Sequence, residues 1–464
     1  MANKEKKGNP IARFFKALGA DIVDIGITFR DGGVGTRLSY VILGAGQMMH
    51  KQFARGLSLL AIEILFFVYC FSFGNKYLAK ITTLGTSSRG FNPDGTVTQG
   101  DNSFLILLYG LLTIIFIIGF IFIWRLNIRD NRNADRKIKA GKKLNTNKQD
   151  LKSLLDENFD KTLLALPVVG IFIFTVLPII FMILVSFTNY DYNHQPPSKL
   201  FKWVGFDNFV NLFSLGGNGF GKTFGIVLLW TLVWAFFATF LNYFLGIFVA
   251  MLINKKGIKF KKLWRTILVM TIAIPQFISL LYVSKMFATD GLVNVLLVKW
   301  GVLSQPYAFW AHPMSARILI ILINLWVGIP YLMLISTGIL MNIPADLYES
   351  AKIDGANGWQ MFKSITLPYM LFVTGPFLLT QFTGNLNNFN VIYLLSGGGP
   401  QGTKLSGGAG YTDLLVTWLY KLVINNTDYK MAAVIGIMVF LVTSIVSVVV
   451  YNMLPSVKNE EGFQ

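Results

Sequence analysis

Apolar residues along this 464-residue chain come in long blocks rather than in the short alternating or helical stripes of a soluble protein. A membrane-crossing helix needs about 20 mostly apolar residues. Eight blocks qualify, at residues 57–73, 104–124, 162–187, 223–253, 264–288, 314–342, 369–395 and 431–455. The first is the shortest and can run on to residue 79. Pro178, Pro275, Pro330 and Pro376 fall inside blocks, and the pattern predicts that the spans tolerate them, because neighbouring helices and side chains re-satisfy the freed backbone groups. The first block starts too late for a cleavable signal peptide. The predicted fold class is all-α, a polytopic membrane protein with about eight transmembrane helices.

The segments between blocks suggest the domain division. Residues 1–56 form a cytoplasmic or interfacial N-terminal segment. Within it Ile11, Phe14, Phe15 and Leu18 fall at helical spacing, with Arg13 and Lys16 between them, which suits a helix lying in the interface. Two spans occupy 57–124. Residues 125–161 are Asn- and Lys-rich with almost no apolar periodicity and are expected to be a solvated linker. Residues 162–455 hold six spans as the core domain, and 456–464 form a cytoplasmic tail.

Composition sharpens the class. Hydrophobic residues make up 53% of the chain and charged residues only 14%, against about a quarter charged in soluble domains. Mean hydropathy is +0.55. There is too little charge to coat soluble domains, and disordered, collagen-like and disulfide-stapled classes are excluded as well. The net charge of +18 would point to nucleic acid in a soluble protein. In a membrane protein it points to basic cytoplasmic loops. With the N-terminus inside, 29 Lys and Arg fall on the inner side and 10 on the outer. Both termini are therefore expected in the cytoplasm, with the basic segment 255–262 as the strongest anchor, and no nucleic-acid partner is expected.

Catalytic and metal chemistry find little support. Cys70 is the only cysteine and sits in an apolar run, while His50, His194 and His312 lie far apart, so no metal site is expected. Residues 216–223 match the phosphate-loop string, and 397–402 match a dinucleotide string. Both lie in outer loops without the strand–loop–helix context that the chemistry needs, and are set aside. Glu63 lies within the first span near its inner end, where snorkelling or a helix partner accounts for it. No enzymatic function is expected.

The inner loop between the sixth and seventh spans differs from the others. Pro344 suits the first turn of a helix, Asp346 complements the positive end of its dipole, and Gly355 suits the left-handed residue that closes it. A second short helix is expected to carry Trp359 and Phe362, before Ile365-Thr366-Leu367-Pro368 opens the next span. Exposed Leu347, Ile353, Trp359 and Phe362 would make an apolar knob, the mark of a partner site.

Glu349, Ser350, Ala351, Gly355, Ile365, Leu367 and Pro368 stand at the offsets of the Glu-Ala-Ala motif. The chain thereby resembles permease subunits of bacterial ATP-binding-cassette importers, with Ser350 in place of the usual first Ala. The stretches 323–331, 384–400 and 410–415 are similar to the eight-span maltose/maltodextrin type, over most of the chain from residue 160 onward. The resemblance implies the importer permease fold with cytoplasmic coupling helices and docking on the ATPase through Glu349, Ala351 and Gly355. It implies as partners a second homologous permease subunit, an ATPase dimer that binds the ATP, an extracytoplasmic solute-binding protein and an oligosaccharide, in a bacterial cell membrane. No cofactor is expected in this chain. Only about 35 residues separate the third and fourth spans, where some family members carry a large domain.

The seventh span is unusually polar. On a continuous helix Gln381, Gly384, Asn385 and Asn388 fall within about 100° of one another. Amides both donate and accept, as sugar hydroxyls require, while interhelical bonding is the plainer role for such residues. Trp326 and Tyr331 offer aromatic surface for a sugar ring. The resemblance places Val327, Gly328, Tyr331, Gly384, Asn385 and Asn388 around the sugar, and a small Gly384 would leave room for a longer chain. The competing function is an ion-coupled secondary sugar transporter. It needs ionisable residues at mid-membrane, which these spans scarcely hold beyond Glu63, and it has no need of the docking loop.

Overall fold

The structure is a computed structural model that describes residues 10–91, 94–214, 219–255 and 257–453. Residues 216–218 of the glycine-rich string, Lys256 and the tail 456–464 lie outside the described residues, as do the side chains of Ile11, Phe14, Phe15 and Leu18. The described residues are overwhelmingly helical; their only strands are the two-residue pair Gly90–Phe91 and Val97–Thr98, antiparallel in a loop.

Helix α1 spans Pro10–Asp31. The long apolar helices are α2 (Phe53–Leu78), α3 (Ser103–Lys139), α4 (Phe159–Val185) and α5 (Phe220–Asn254). A bent pair follows, α6 (Lys261–Ala273) and α7 (Gln276–Met286). Then come α8 (Pro313–Leu340), α9 (Ala345–Ile353), α10 (Gly358–Leu386), α11 (Phe389–Ser396), α12 (Leu415–Ile424) and α13 (Tyr429–Met453). Seven of these helices are long and apolar enough to cross a membrane, and the bent pair makes an eighth.

Contacts divide the chain into two compact units, residues 1–184 with 193–203, and residues 185–192 with 204–464. Nearly all of α4 therefore groups with the N-terminal unit, where Phe181 meets Phe104 edge-on at 5.2 Å, and not with the six-span core expected from residue 162. The expected linker is also more ordered than its composition suggests. Helix α3 runs on through 125–139, and residues 147–155 form a further helix capped by Thr146. What the polar sequence hides is a buried amide cluster. Gln47 donates to Asn127 at 2.9 Å, and the Asn131 amide reaches Gln47 at 3.2 Å. Glu63 is buried and accepts the Leu43 backbone N–H at 2.9 Å, so its partner is a turn ahead of the first span rather than a helix.

The second unit is held by packing. Lipid gives helices no hydrophobic reason to associate, so close contact and interhelical hydrogen bonds carry the load. Trp230, Trp234, Ile320, Ile392 and Leu414 form one buried cluster. Tyr243, Ile247, Leu332 and Met370 form another, with the Tyr243 hydroxyl 2.7 Å from Thr374 Oγ1. Two blocks expected to be single spans are broken. The 264–288 block bends by 92° at Ile274-Pro275, where proline removes a donor and forces its predecessor out of the helical region. The 369–395 block ends at Leu386 and restarts at Phe389.

Candidate functional site

Helices α8 and α10 carry most of the residues proposed for the sugar, and the breaks beside them decide where those residues point. At the α6–α7 bend, Thr271, Gln276 and Ser279 face Trp326, Val327 and Tyr331 of α8 across a cavity of about 230 Å³. Three polar groups opposite two aromatic rings suit a sugar, which presents hydroxyls on its edge and C–H groups on its face. Tyr331 is half-exposed here. Thr271, Gln276 and Ser279 were not among the residues expected at the site; the signal for them in the sequence was Pro275 followed by Gln276 in an apolar block.

The amides of α10 stand apart from that cavity. The Asn385 side chain donates to Thr239 Oγ1 at 3.0 Å, and Asn388 donates to Asn385 Oδ1 at 3.2 Å. Asn388 in turn accepts the Val391 N–H at 3.3 Å and so caps α11. The two asparagines meet as expected, but through a helix break rather than as a stripe on a continuous helix. Asn387 bonds back to the Thr383 carbonyl at 3.4 Å. Thr239 sits in a π turn of α5, Phe237–Leu241, a widened turn that often marks a functional site. The indole of Trp234 donates to the Asn385 carbonyl at 3.2 Å, which also accepts the Asn388 backbone N–H at 3.3 Å across the break. Each amide keeps a further hydrogen for a ligand, and both residues are only partly buried. Gly384 is exposed, and a Cβ there would meet nothing within 4 Å. Gly328 has a different position. Asn242 packs against it, with its Oδ1 buried and unpartnered, so this glycine serves helix contact.

The loop between α8 and α10 forms as the sequence predicts at its first helix, α9. Gly355 has φ +80°, the Ala356 N–H returns to the Ala351 carbonyl at 2.9 Å and the Gly355 N–H to Lys352 at 3.1 Å, a Schellman closure of α9. Glu349 and Gly355 are exposed and Ala351 is half-buried. Leu347, Ile353 and Trp359 are exposed, Ile353 at 86%. Phe362 differs from expectation: it is half-buried, stacked on Trp359 at 5.5 Å and packed against the Tyr243 cluster. The expected second short helix is the first turn of α10 itself. Asn357 and Gln360 form a reciprocal capping box there at 2.9 and 2.7 Å. The helix then continues through a π turn at Phe362–Thr366. One helix thus runs from the apolar knob to Asn385, roughly 40 Å at 1.5 Å per residue.

Beyond α11 the chain is pinned by a buried ion pair. Lys421 donates to Asp413 Oδ2 at 2.7 Å, Gly410 N–H to the same oxygen at 2.7 Å, and Thr417 to Oδ1 at 2.9 Å. Burial pushes the Asp413 carboxyl above the ordinary carboxylate range, against Lys421 and the two other donors that favour its charge. Arg317 on α8 stacks on Trp230 at 4.7 Å and holds the Tyr411 carbonyl at 2.8 Å.

Comparison with known proteins places the chain in a family. The family described as "Binding-protein-dependent transport system inner membrane component" matches residues 242–459. The maltodextrin transport system permease protein MalC of Streptococcus pneumoniae is 34% identical over 91% of this chain and 96% of its own length. The galactooligosaccharides transport system permease protein GanP of Bacillus subtilis is 35% identical over 86% of this chain and 92% of its own. In fold, a chain of a bacterial alginate ABC transporter, solved in complex with an alginate pentasaccharide-bound periplasmic protein, superimposes with a TM-score of 0.53 at 23% identity, over 66% of this chain and 97% of that one. These relatives are transport permeases, not enzymes. The chain is a multi-pass membrane protein and belongs to the family of inner-membrane permease components of binding-protein-dependent, ATP-binding-cassette importers.

Proposed function

We propose that this chain forms half of the translocation pathway of an ATP-driven importer for malto-oligosaccharides. A second, homologous permease subunit completes the pathway, an ATPase dimer binds the ATP, and a solute-binding protein delivers the sugar from outside. The N- and C-termini lie in the cytoplasm. The observation that carries this reading is the exposed knob of Leu347, Ile353 and Trp359, closed by Gly355 and continuous through α10 with Asn385. Glu349, Ala351 and Gly355 meet the ATPase. Its closure moves the first turn of α10, and the helix carries that motion to the amide chain at its far end. Val327 and Tyr331 with Thr271, Gln276 and Ser279 contact the sugar along one cavity, while Asn385 and Asn388, with Gly384 leaving space beside them, contact it along the broken helix. Gly328 acts by admitting Asn242.

Support for an oligosaccharide comes from the identity to MalC and to GanP, each over nearly its full length; the resemblance of residues 323–331 and 384–400 to the maltose/maltodextrin type favours maltodextrin, and galacto-oligosaccharides are the natural comparator. The test is uptake by the assembled complex in vesicles, with maltodextrins and galacto-oligosaccharides offered side by side. ATP-dependent uptake of maltodextrins that requires the binding protein is expected. Uptake driven by an ion gradient without ATP would replace this reading with a secondary transporter, and preference for galactosides would move the substrate but keep the importer.

A further inference from the structure

Helix α1 is the largest element for which the transport reading has no use. It is strapped to α3 at one level. Arg125 of α3 takes both carboxylate oxygens of Asp21 and reaches Asp24 at 2.9 Å, and Arg132 also pairs with Asp24. Asp135 receives Gly33 N–H at 2.9 Å and Thr36 Oγ1 at 2.5 Å, just past the helix end. Arg37 caps that end through the Phe29 and Arg30 carbonyls at 3.1 and 2.8 Å. The arginines beside Asp21 and Asp24 hold both carboxyls below the usual carboxylate range.

That level is where α3 leaves its apolar run. The uncharged stretch of α3 ends at Trp124, and Arg125 begins the basic part. The Trp124 indole donates to the Tyr40 carbonyl at 2.9 Å, and the Tyr40 ring lies edge-on to both Trp124 and Phe29. Paired Trp and Tyr at the end of an apolar helix mark the edge of a bilayer. Beside this mark α1 leaves Ile22 63% and Phe29 49% exposed, seven residues apart on one face. Val34, Leu38 and Val41 continue the exposed apolar surface past its end. About 100–160° away on the helical wheel, Asp21, Asp24 and Thr28 face α3, and Ala20, Val23 and Ile27 occupy the remaining exposed side. The helix therefore has a face for the protein, an apolar face with Ile22 and Phe29, and a free side of mixed character where Arg30 stands among Ala20, Val23 and Ile27.

We propose that α1 is an interfacial anchor whose Ile22–Phe29 face lies in the headgroup–acyl boundary of an anionic phospholipid leaflet, on the side where residues 125–139 emerge. Charge fits this occupant. Residues 1–56 hold nine Lys and Arg against four Asp and Glu, and Asp21, Asp24 and Asp31 are already paired with arginines. The surplus is basic and attracts anionic lipid. The clasp through Arg125 fixes the helix at the depth where an apolar face meets acyl chains, and a lipid surface accounts for the exposure of Ile22 and of the part of Phe29 that Tyr40 does not cover.

The test uses the full-length chain assembled with its partner subunits in a Cys70→Ala background. Single cysteines at Ile22, Phe29 and, as the free-face control, Ala20 carry an environment-sensitive fluorophore. The complexes are placed in phosphatidylglycerol-rich nanodiscs containing a lipid quenched near the headgroup, and separately in phosphatidylcholine nanodiscs. The expected result is loss of emission to the lipid-borne quencher at positions 22 and 29, stronger in the anionic discs, while position 20 is quenched by aqueous iodide instead. Iodide quenching at all three positions overturns the proposal. Shielding of 22 and 29 from iodide without lipid quenching overturns it too, because the face is then covered by a protein subunit.

Discussion

Asn242 packs so closely under Gly328 that a Cβ added at 328 would stand 2.7 Å from its amide nitrogen. The Asn242 amide donates to the Ala238 carbonyl at 2.8 Å and cannot swing away without losing that bond. Gly328→Ala should therefore overpack the α5–α8 contact by roughly 1–3 kcal/mol. Asn242→Ala should relieve most of it, so that the double variant is more stable than Gly328→Ala alone. Thermal unfolding of the purified complexes completes the cycle. Additive losses would mean that the two residues do not touch.

The amide chain at the α10–α11 break makes a second prediction. Asn388→Ala removes the cap of α11, a loss of about 1 kcal/mol, and the partner of Asn385. Asn388→Ser keeps an oxygen for the Val391 N–H but lacks the amide donor. Both variants should weaken sugar contact by roughly 1–3 kcal/mol, because an unpaired hydroxyl is costly where water is scarce. Only the Ala variant should lower the melting temperature. Normal half-saturating sugar concentrations in both would leave Asn388 as a capping residue and nothing more.

The contrast between these two sites explains what the sequence disclosed. Helix α9 was legible because its determinants are local: Pro344 and Gly355 bound it by their own backbone preferences. The eight apolar blocks were legible because length and composition alone qualify a span. The breaks were not. Proline in an apolar block is compatible with a gentle kink or a 92° bend, and the packing around Pro275 decides between them. The stripe of Gln381, Asn385 and Asn388 assumed a continuous helix, whereas Asn388 stabilises the break by capping the next one. Residues 125–139 looked solvated because Asn127 and Asn131 are polar, yet they are buried against Gln47, some 80 residues away.

Coupling gives a third prediction. Position 355 has open space around it, so a side chain there is resisted only by its φ of +80°. Gly355→Ala should cost about 1 kcal/mol at the end of α9, enough to disturb the knob without unfolding the spans. With Glu349→Gln it should reduce the stimulation of ATP hydrolysis by loaded binding protein while sugar contact survives. Stimulation equal to that of the unaltered complex in both variants would remove α9 from the coupling path.

The buried pair of Asp413 and Lys421 gives the last prediction. Asp413 is fully buried, and its oxygens are met by Lys421, Thr417 and Gly410. Removing one charge strands the other in a low-dielectric site, which costs roughly 3–5 kcal/mol. Lys421→Met alone and Asp413→Asn alone should therefore each destabilise the segment that joins α11 to α12, read as a large fall in thermal stability. The paired variant Asp413→Asn with Lys421→Met leaves no buried charge. Its Asn can still accept the Gly410 N–H through Oδ1 while its amide N–H donates to the Thr417 hydroxyl, so it should recover much of the lost stability. If transport also recovers, the pair serves architecture. If stability returns and binding-protein-stimulated uptake does not, the charges have a second role on the outer face. A double variant no more stable than either single one would contradict the coupling, and with it the description of this pair as the pin of the segment.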